Sequence, residues 1–215
     1  KKLINLDNSE INIYNLENKI KKFSVLKNHS TEVIYSLTDI KDCKKVDYIL
    51  SKHKPNLVFH AAAYKHLPIV EKNILQSIEN NIFGTMNLIK ASINNCVENF
   101  VLISTDKAVN PTSIMGKTKR VSEMLVQAYA DKVNDIKLSI VRFGNVLDSS
   151  GSVIPLFKSQ IETRSPLTIT HPDVTRYFML IPEAVNLIMQ TLYIAKGGEV
   201  FVLDMGKPIK IMDLA

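Results

Sequence analysis

The sequence predicts an α/β fold, a doubly wound parallel sheet carrying a small additional lobe, and three observations lead there. Short apolar runs alternate along the chain with longer segments of helical character, which implies parallel strands joined by crossover helices. The runs stop abruptly at polar residues, as where Phe100–Ile103 gives way to Ser104-Thr105-Asp106-Lys107. Ligands of open α/β sheets gather at such carboxyl ends. Finally, 215 residues with 46% hydrophobic and 22% charged composition can bury a sizeable core and read as globular.

Taken in order, Lys2–Leu6 reads as a strand ending at Asp7. Asn8 or Ser9 can cap the following helix, with Ile11, Ile13, Tyr14, Leu16 and Ile20 as its apolar positions. Glu32–Leu37 is a second strand closed by Thr38-Asp39, and Ile40–His53 a second helix. Leu57–His60 is a third strand leading into Ala61-Ala62-Ala63. A long helix is expected over about Ser77–Asn95, then the Phe100 strand. A loop holding Pro111 leads to a helix that starts near Ser113–Met115 and runs to about Lys132. On it Met115 and Lys119 are four apart and share a face. Leu138–Phe143 is another strand.

After Gly144 the texture changes. Asp148–Val153 is turn-rich, Pro155 starts a short helix through Glu162, and Leu167–Thr170 reads as a short strand. Pro182 suits the first turn of a helix reaching about Ala195. Gly197-Gly198 stops it before a last strand, Glu199–Leu203. The expected division is a dinucleotide-binding domain over 1–146 and a substrate-binding lobe over 147–215.

Composition excludes several classes. The net charge of +6 comes from lysines scattered along helices, without the aromatic interleaving of a nucleic-acid footprint. No apolar run reaches the length of a membrane span, and Lys1-Lys2 does not introduce a signal peptide. Cys43 and Cys96 are isolated, lack metal-type spacing and read as reduced thiols, so a cytoplasmic setting and no metal are expected.

The first glycine is Gly84, so no G-x-G-x-x-G turn precedes it. Yet Asp7 ends an early strand, where an acidic residue takes adenosine ribose hydroxyls one strand after such a turn. The reading that reconciles the two is a fragment lacking its first strand, glycine loop and first helix, with loss after Ala215 too. In the order 3-2-1-4-5-6 the missing strand is central, so the sheet should carry a gap and the isolated chain should be unstable.

Five segments then carry a family resemblance: HAAAYKHLPIVE (His60–Glu71), NNIFGT (Asn80–Thr85), STDKAVNPTSIMGKTKR, VRFGNVLDSSGSVIPLF (Val141–Phe157) and HPDVTRYFM (His171–Met179). Together they resemble the CapD-like polysaccharide biosynthesis proteins, and most nearly their PglF- and WbpM-like branch. These are UDP-N-acetylglucosamine 4,6-dehydratases of the extended short-chain dehydrogenase/reductase superfamily. The resemblance runs from Lys2 to Ala215. It implies a Rossmann-like fold and an enzyme that oxidises the sugar at C4 with NAD(P)+, removes water across C5–C6 and returns hydride to C6. It also implies a UDP-sugar substrate, a homo-oligomer, and a parent protein whose membrane helices, where present, lie outside this chain.

Within that resemblance Asp106 matches the acid for the departing C6 hydroxyl and Lys107 the base for the C5 proton. A lysine base must be neutral, against an ordinary pKa of about 10.4, which burial and an adjacent cofactor cation would lower. Lys119 matches the lysine of the superfamily Y-x-x-x-K motif and would hold the nicotinamide ribose; the tyrosine position is Met115, which cannot carry a proton. The group that deprotonates the 4-hydroxyl stays open, with Thr105 hydrogen-bonding it and Asp106 or Lys107 accepting through a relay.

For the cofactor, Asp7 would accept both ribose hydroxyls and repel a 2′-phosphate, which favours NAD over NADP. Asp39 and Ile40 should lie by the adenine; Ala61, Ala62 and Ala63 let the dinucleotide pass close to backbone, with Lys65 beyond. Asn81 is expected on the cofactor side, and Phe143, Gly144, Asn145 and Val146 beside the nicotinamide. For the substrate, Asn145 with Ser152, Val153 and Pro155 resembles the segment holding the UDP. Arg176 is the diphosphate clamp, a guanidinium fork suited to phosphate oxygens. Thr168 and Thr170 would line the uracil pocket, and His66 would touch the sugar. A 4-epimerase of the same fold, which needs no elimination pair, and a non-catalytic dinucleotide-binding protein are the alternatives.

Overall fold

The computed structural model describes residues 2–27, 31–147, 153–169 and 171–215. Strand β1 (Lys2–Asp7) leads into helix α1 (Glu10–Lys27), and β2 (Glu32–Leu37) pairs parallel with β1. Helix α2 (Cys43–His53) starts three residues later than the Ile40 expected. The Asp39 carboxylate accepts from the Lys41 amide at 2.8 Å and holds a turn open. Asp42 then caps the helix by accepting from the Lys45 amide at 3.0 Å.

Strand β3 (Leu57–His60) is followed by the short helices α3 (Leu67–Lys72) and α4 (Ile74–Ile78), a π-helical turn (Glu79–Gly84) and α5 (Thr85–Asn94). The helix expected from Ser77 therefore begins earlier and is widened in its first half. The widening has a visible cause. The Asn81 carbonyl accepts from the Thr85 hydroxyl and from the Ser122 hydroxyl, both at 2.6 Å, so side chains replace part of the regular ladder. Gly84 ends the turn hard against Ile40, whose Cδ1 lies 2.6 Å from where a Cβ would stand.

Next come β4 (Asn99–Thr105), a 3₁₀ turn (Asp106–Ala108), α6 (Ile114–Ala130), β5 (Lys137–Phe143) and β6 (Asn145–Val146). Then follow α7 (Val153–Glu162), β7 (Thr175–Arg176), β8 (Phe178–Met179), α8 (Ile181–Ile194), β9 (Val200–Val202), β10 (Ile209–Lys210) and α9 (Ile211–Leu214). Residues 167–169 form no strand, against expectation. Gln160 on α7 holds that stretch instead, accepting from the Thr168 amide at 3.2 Å and donating to its hydroxyl at 2.9 Å.

The main sheet is parallel, in the order β3-β4-β5-β9. Alternating side chains of β4 enter two separate cores: Phe100 and Leu102 pack with α2, α5 and α6 residues such as Leu50, Ile89 and Val126, whereas Val101 joins Val141, Met179 and Ala184. Burial on both faces explains why the run carries no polar alternation. The β1-β2 pair forms its own ladder. Between the open edges of β1 and β3 lies a cleft of about 950 Å³ lined by residues of both strands, which is the gap the strand order predicts.

Candidate active site

The carboxyl end of β4 turns sharply because Thr105 caps the 3₁₀ turn, its hydroxyl accepting from the Lys107 amide at 3.4 Å and donating to Asp106 Oδ1 at 2.9 Å. The turn presents two adjacent, partly exposed functional groups on one side. Lys107 Nζ donates to Asp106 Oδ1 at 2.9 Å and to Asn145 Oδ1 at 3.2 Å. Thus the acid, the amine and the first residue of β6 meet although 38 positions separate Lys107 from Asn145.

Helix α6 supplies the second half of the site. Ser113 caps it by accepting from the Gly116 amide at 3.1 Å, and Glu71 accepts from the Ile114 amide at 2.7 Å. Gly116 permits the close seating of this end, since a Cβ would stand 2.3 Å from the Lys107 carbonyl oxygen. Met115 and Lys119 face inward from successive turns, 4% and 7% exposed. Lys119 Nζ donates to the Ile103 carbonyl at 2.6 Å, one strand residue before Ser104. Burial lowers its pKa to about 8, opposed by the nearby Glu123 carboxylate.

Asn81, expected to touch the cofactor, has its side chain engaged elsewhere. Its Oδ1 accepts from the Tyr64 amide and Asn80, and its Nδ2 donates to the Tyr64 carbonyl and the Thr118 hydroxyl. Both donors and both lone pairs are taken. Asn81 thereby holds the loop after β3 against α6.

His60 is buried below. The Thr85 hydroxyl already donates to the Asn81 carbonyl, so it accepts from His60 Nε2–H at 2.7 Å, leaving Nδ1 an acceptor without a partner among the described residues. Burial, with the Lys119 charge adding to it, lowers the ring's pKa to about 3 and keeps it neutral.

Asp7 accepts from the Ser9 amide at 2.8 Å and from Asn12 at 3.3 and 3.4 Å, in a turn that lines the cleft. Thr38, Ile40 and Ala61, Ala62 and Ala63 line the same cleft. Asp39 lies partly exposed in the turn after β2, paired with Lys41. Lys65 and His66 are exposed, and His66 stands at the start of α3. Phe143, Gly144 and Val146 are half-buried at the end of β5 and in β6, the latter paired with β8.

Val153 and Pro155 occupy the first turn of α7. Arg176 is exposed on β7, its guanidinium donating to the Thr175 carbonyl at 2.9 Å. Thr168 is exposed against Gln160. Ser152 and Thr170 lie outside the described residues. Among the described residues no three His, Cys, Asp or Glu side chains group as a metal site. No helix among them is long and apolar enough to cross a membrane.

Two features have no counterpart in the reading of the residues. Met205, in the loop after β9, accepts through its sulfur from the Gly144 amide at 2.8 Å, and both it and Asp106 crowd the space where a Gly144 Cβ would stand. The other is Glu123, buried between α6, Ser104 and Arg142. An arginine inside the apolar run LSIVRF was its available signal, because a charge in a buried strand requires a partner.

The sequence profile of a family described as polysaccharide biosynthesis protein matches residues 1–215. The capsular polysaccharide biosynthesis protein CapD of Staphylococcus aureus is 47% identical over 214 residues, covering all of this chain and 35% of its own. A UDP-glucose 4-epimerase of Rickettsia canadensis is 36% identical over 198 residues, 91% of this chain and 58% of that protein. Among solved structures, Pen from Bacillus thuringiensis superposes with a TM-score of 0.88 at 35% identity, covering 98% of this chain and 62% of that one. The chain thus spans between about a third and three-fifths of the length of these relatives.

Proposed function

The chain belongs to the polysaccharide biosynthesis protein family, and on that footing we propose that it carries the catalytic centre of a nucleotide-sugar 4,6-dehydratase. The proposed reaction converts UDP-N-acetylglucosamine into a UDP-4-keto-6-deoxy sugar, with NAD as cofactor. The observation that carries this reading is the Asp106–Lys107–Asn145 contact beside Lys119 and Met115.

The residues present fit a dinucleotide at both ends. Asp7, Ile40 and the small Ala61–Ala63 lie at the carboxyl ends of β1, β2 and β3, where a dinucleotide would cross the sheet, and Lys119 stands behind the catalytic turn. A nicotinamide dinucleotide, when bound, supplies the hydride acceptor. Lys119 would hold its ribose and Asp7 the adenosine ribose, where a carboxylate disfavours a 2′-phosphate.

The ion pair has a mechanistic consequence. In the contact as it stands, Lys107 Nζ donates a hydrogen to Asp106 Oδ1. Elimination needs the reverse: a protonated acid for the departing C6 hydroxyl and a free amine for the C5 proton. Transfer of one proton across the 2.9 Å contact produces both species together. The proton arrives on Asp106 Oδ1, the oxygen that also accepts from Thr105, so the carboxyl must turn to hand that proton to the C6 hydroxyl. Met115 offers no proton, so 4-hydroxyl chemistry falls to Thr105 and this pair. In the same scheme the sugar-nucleotide lobe comes from the part of 147–215 outside β9, which joins the main sheet, with Arg176 on the diphosphate.

A second reading, 4-epimerisation, is favoured by the Rickettsia relative. Incubating the intact protein with UDP-N-acetylglucosamine and NAD and following the product by NMR separates the two. A 4-keto-6-deoxy sugar is expected, and Asp106→Asn and Lys107→Ala should each lower its formation at least about 100-fold. A 4-epimer made equally well by both variants would overturn the dehydratase assignment.

A further inference from the structure

Below the catalytic turn lies a buried ionic junction for which the chemistry above has no use. Glu123 is fully buried and accepts from Ser104 Oγ at 2.6 Å, from Arg142 Nε at 2.7 Å and Nη2, and from Arg120 Nη1 at 3.2 Å. Burial alone would raise its pKa, but the hydrogen bonds from Arg142, Ser104 and Arg120 outweigh burial and hold the carboxyl below its ordinary value.

The partners are not arbitrary. Ser104 and Arg142 face each other in the β4–β5 ladder, one position before its last pair, Thr105 and Phe143. Beyond that pair the strands part, one into the Asp106 3₁₀ turn and the other into β6. No further rung of the ladder fixes their separation, yet Lys107 must reach Asn145 across it at 3.2 Å. Glu123 grips both strand ends from the helix that also carries Met115 and Lys119.

We propose that Glu123 is a positioning residue, which sets the distance between the Asp106–Lys107 turn and Asn145 by clamping Ser104 and Arg142 to α6. This rests on the dehydratase reading. The competing explanation is plain charge balance, with Glu123 present only to neutralise a buried Arg142. The two separate because a buried ion pair replaced by apolar residues of similar volume often keeps or gains stability.

The test compares the intact protein with Glu123→Leu/Arg142→Met and with Ser104→Ala, which removes one side of the clamp and leaves the ion pair. The double variant should keep its unfolding midpoint and its KM for the nucleotide sugar within about threefold, while kcat falls at least about tenfold. Ser104→Ala should lower kcat by about threefold or more at unchanged KM. In both, the Asn145 and Val109 amides, which bond to the Tyr177 and Asp106 carbonyls, should exchange hydrogen about tenfold faster, while those of Val101 and Ile140 in mid-strand do not.

A double variant with wild-type kcat and unchanged exchange would overturn the proposal in favour of charge balance. Should the double variant fail to fold, an unchanged kcat and unchanged exchange in Ser104→Ala overturn it equally. An unsubstituted protein that dehydrates nothing sinks the reaction reading alone, because the exchange comparison then decides the clamp without any turnover.

Discussion

Lys119 shows what burying a single amine costs the fold. Its amine is buried, with the Ile103 carbonyl as its hydrogen-bond acceptor, and its pKa falls from 10.5 to about 8. The sign follows from proton counting. Between those values the unfolded chain binds more protons than the folded one, so native stability rises with pH across that window. Below about pH 8 the folded state carries the full penalty, roughly 3 kcal/mol for such a shift. Lys119→Met should remove the penalty together with a hydrogen bond of about 1 kcal/mol, leaving the variant more stable at pH 7 by about 2 kcal/mol. Urea unfolding from pH 7 to 10.5 checks this: the rise in stability with pH should disappear in the variant, and an unaltered rise would assign it elsewhere.

At the scale of elements, two glycines make contrasting predictions. Gly116 seats the start of α6 on the Lys107 carbonyl, and a methyl there would stand 2.3 Å from a backbone oxygen that the Asp106–Ala108 turn holds in place. Gly116→Ala should therefore cost about 3 kcal/mol, at the upper end for overpacking, and abolish turnover by displacing Lys107. Gly84→Ala meets the Ile40 side chain at Cδ1 and Cγ1, 2.6 and 2.7 Å away, which must turn within a buried site, so about 2 kcal/mol is expected with turnover largely retained. Thermal unfolding and a rate measurement on each variant decide the matter, and equal effects would contradict the backbone-against-side-chain distinction. The helix expected over Ser77–Asn95 was legible in outline because its apolar spacing is local. Its π-helical turn was not, since it depends on a hydroxyl from Ser122, 41 residues away.

For the whole molecule the consequence is uneven stability. The β3-β4-β5-β9 sheet is covered on both faces, whereas among the described residues β1 and β2 pair only with each other, across the cleft from β3. Amides of β1 and β2 should exchange hydrogen at least about 100-fold faster than those of β4 and β5 in the isolated chain. Uniform protection would mean that the β1–β2 unit is held to the rest more tightly than its contacts indicate. Sequence alone was not sufficient for the short strands β6, β7, β8 and β10, but it was for the alternation of strands and helices from β1 to β5 and for the STDK turn at a strand end. Each of these is written in local periodicity or in chemically distinctive neighbours. Folding decided what depends on partners distant along the chain: that Asn81 holds a loop, that Met205 covers the Gly144 amide, and that Glu123 binds two strand ends. A buried polar group must find its partner in space, and the spacing of residues along one strand or helix carries no record of which partner that is.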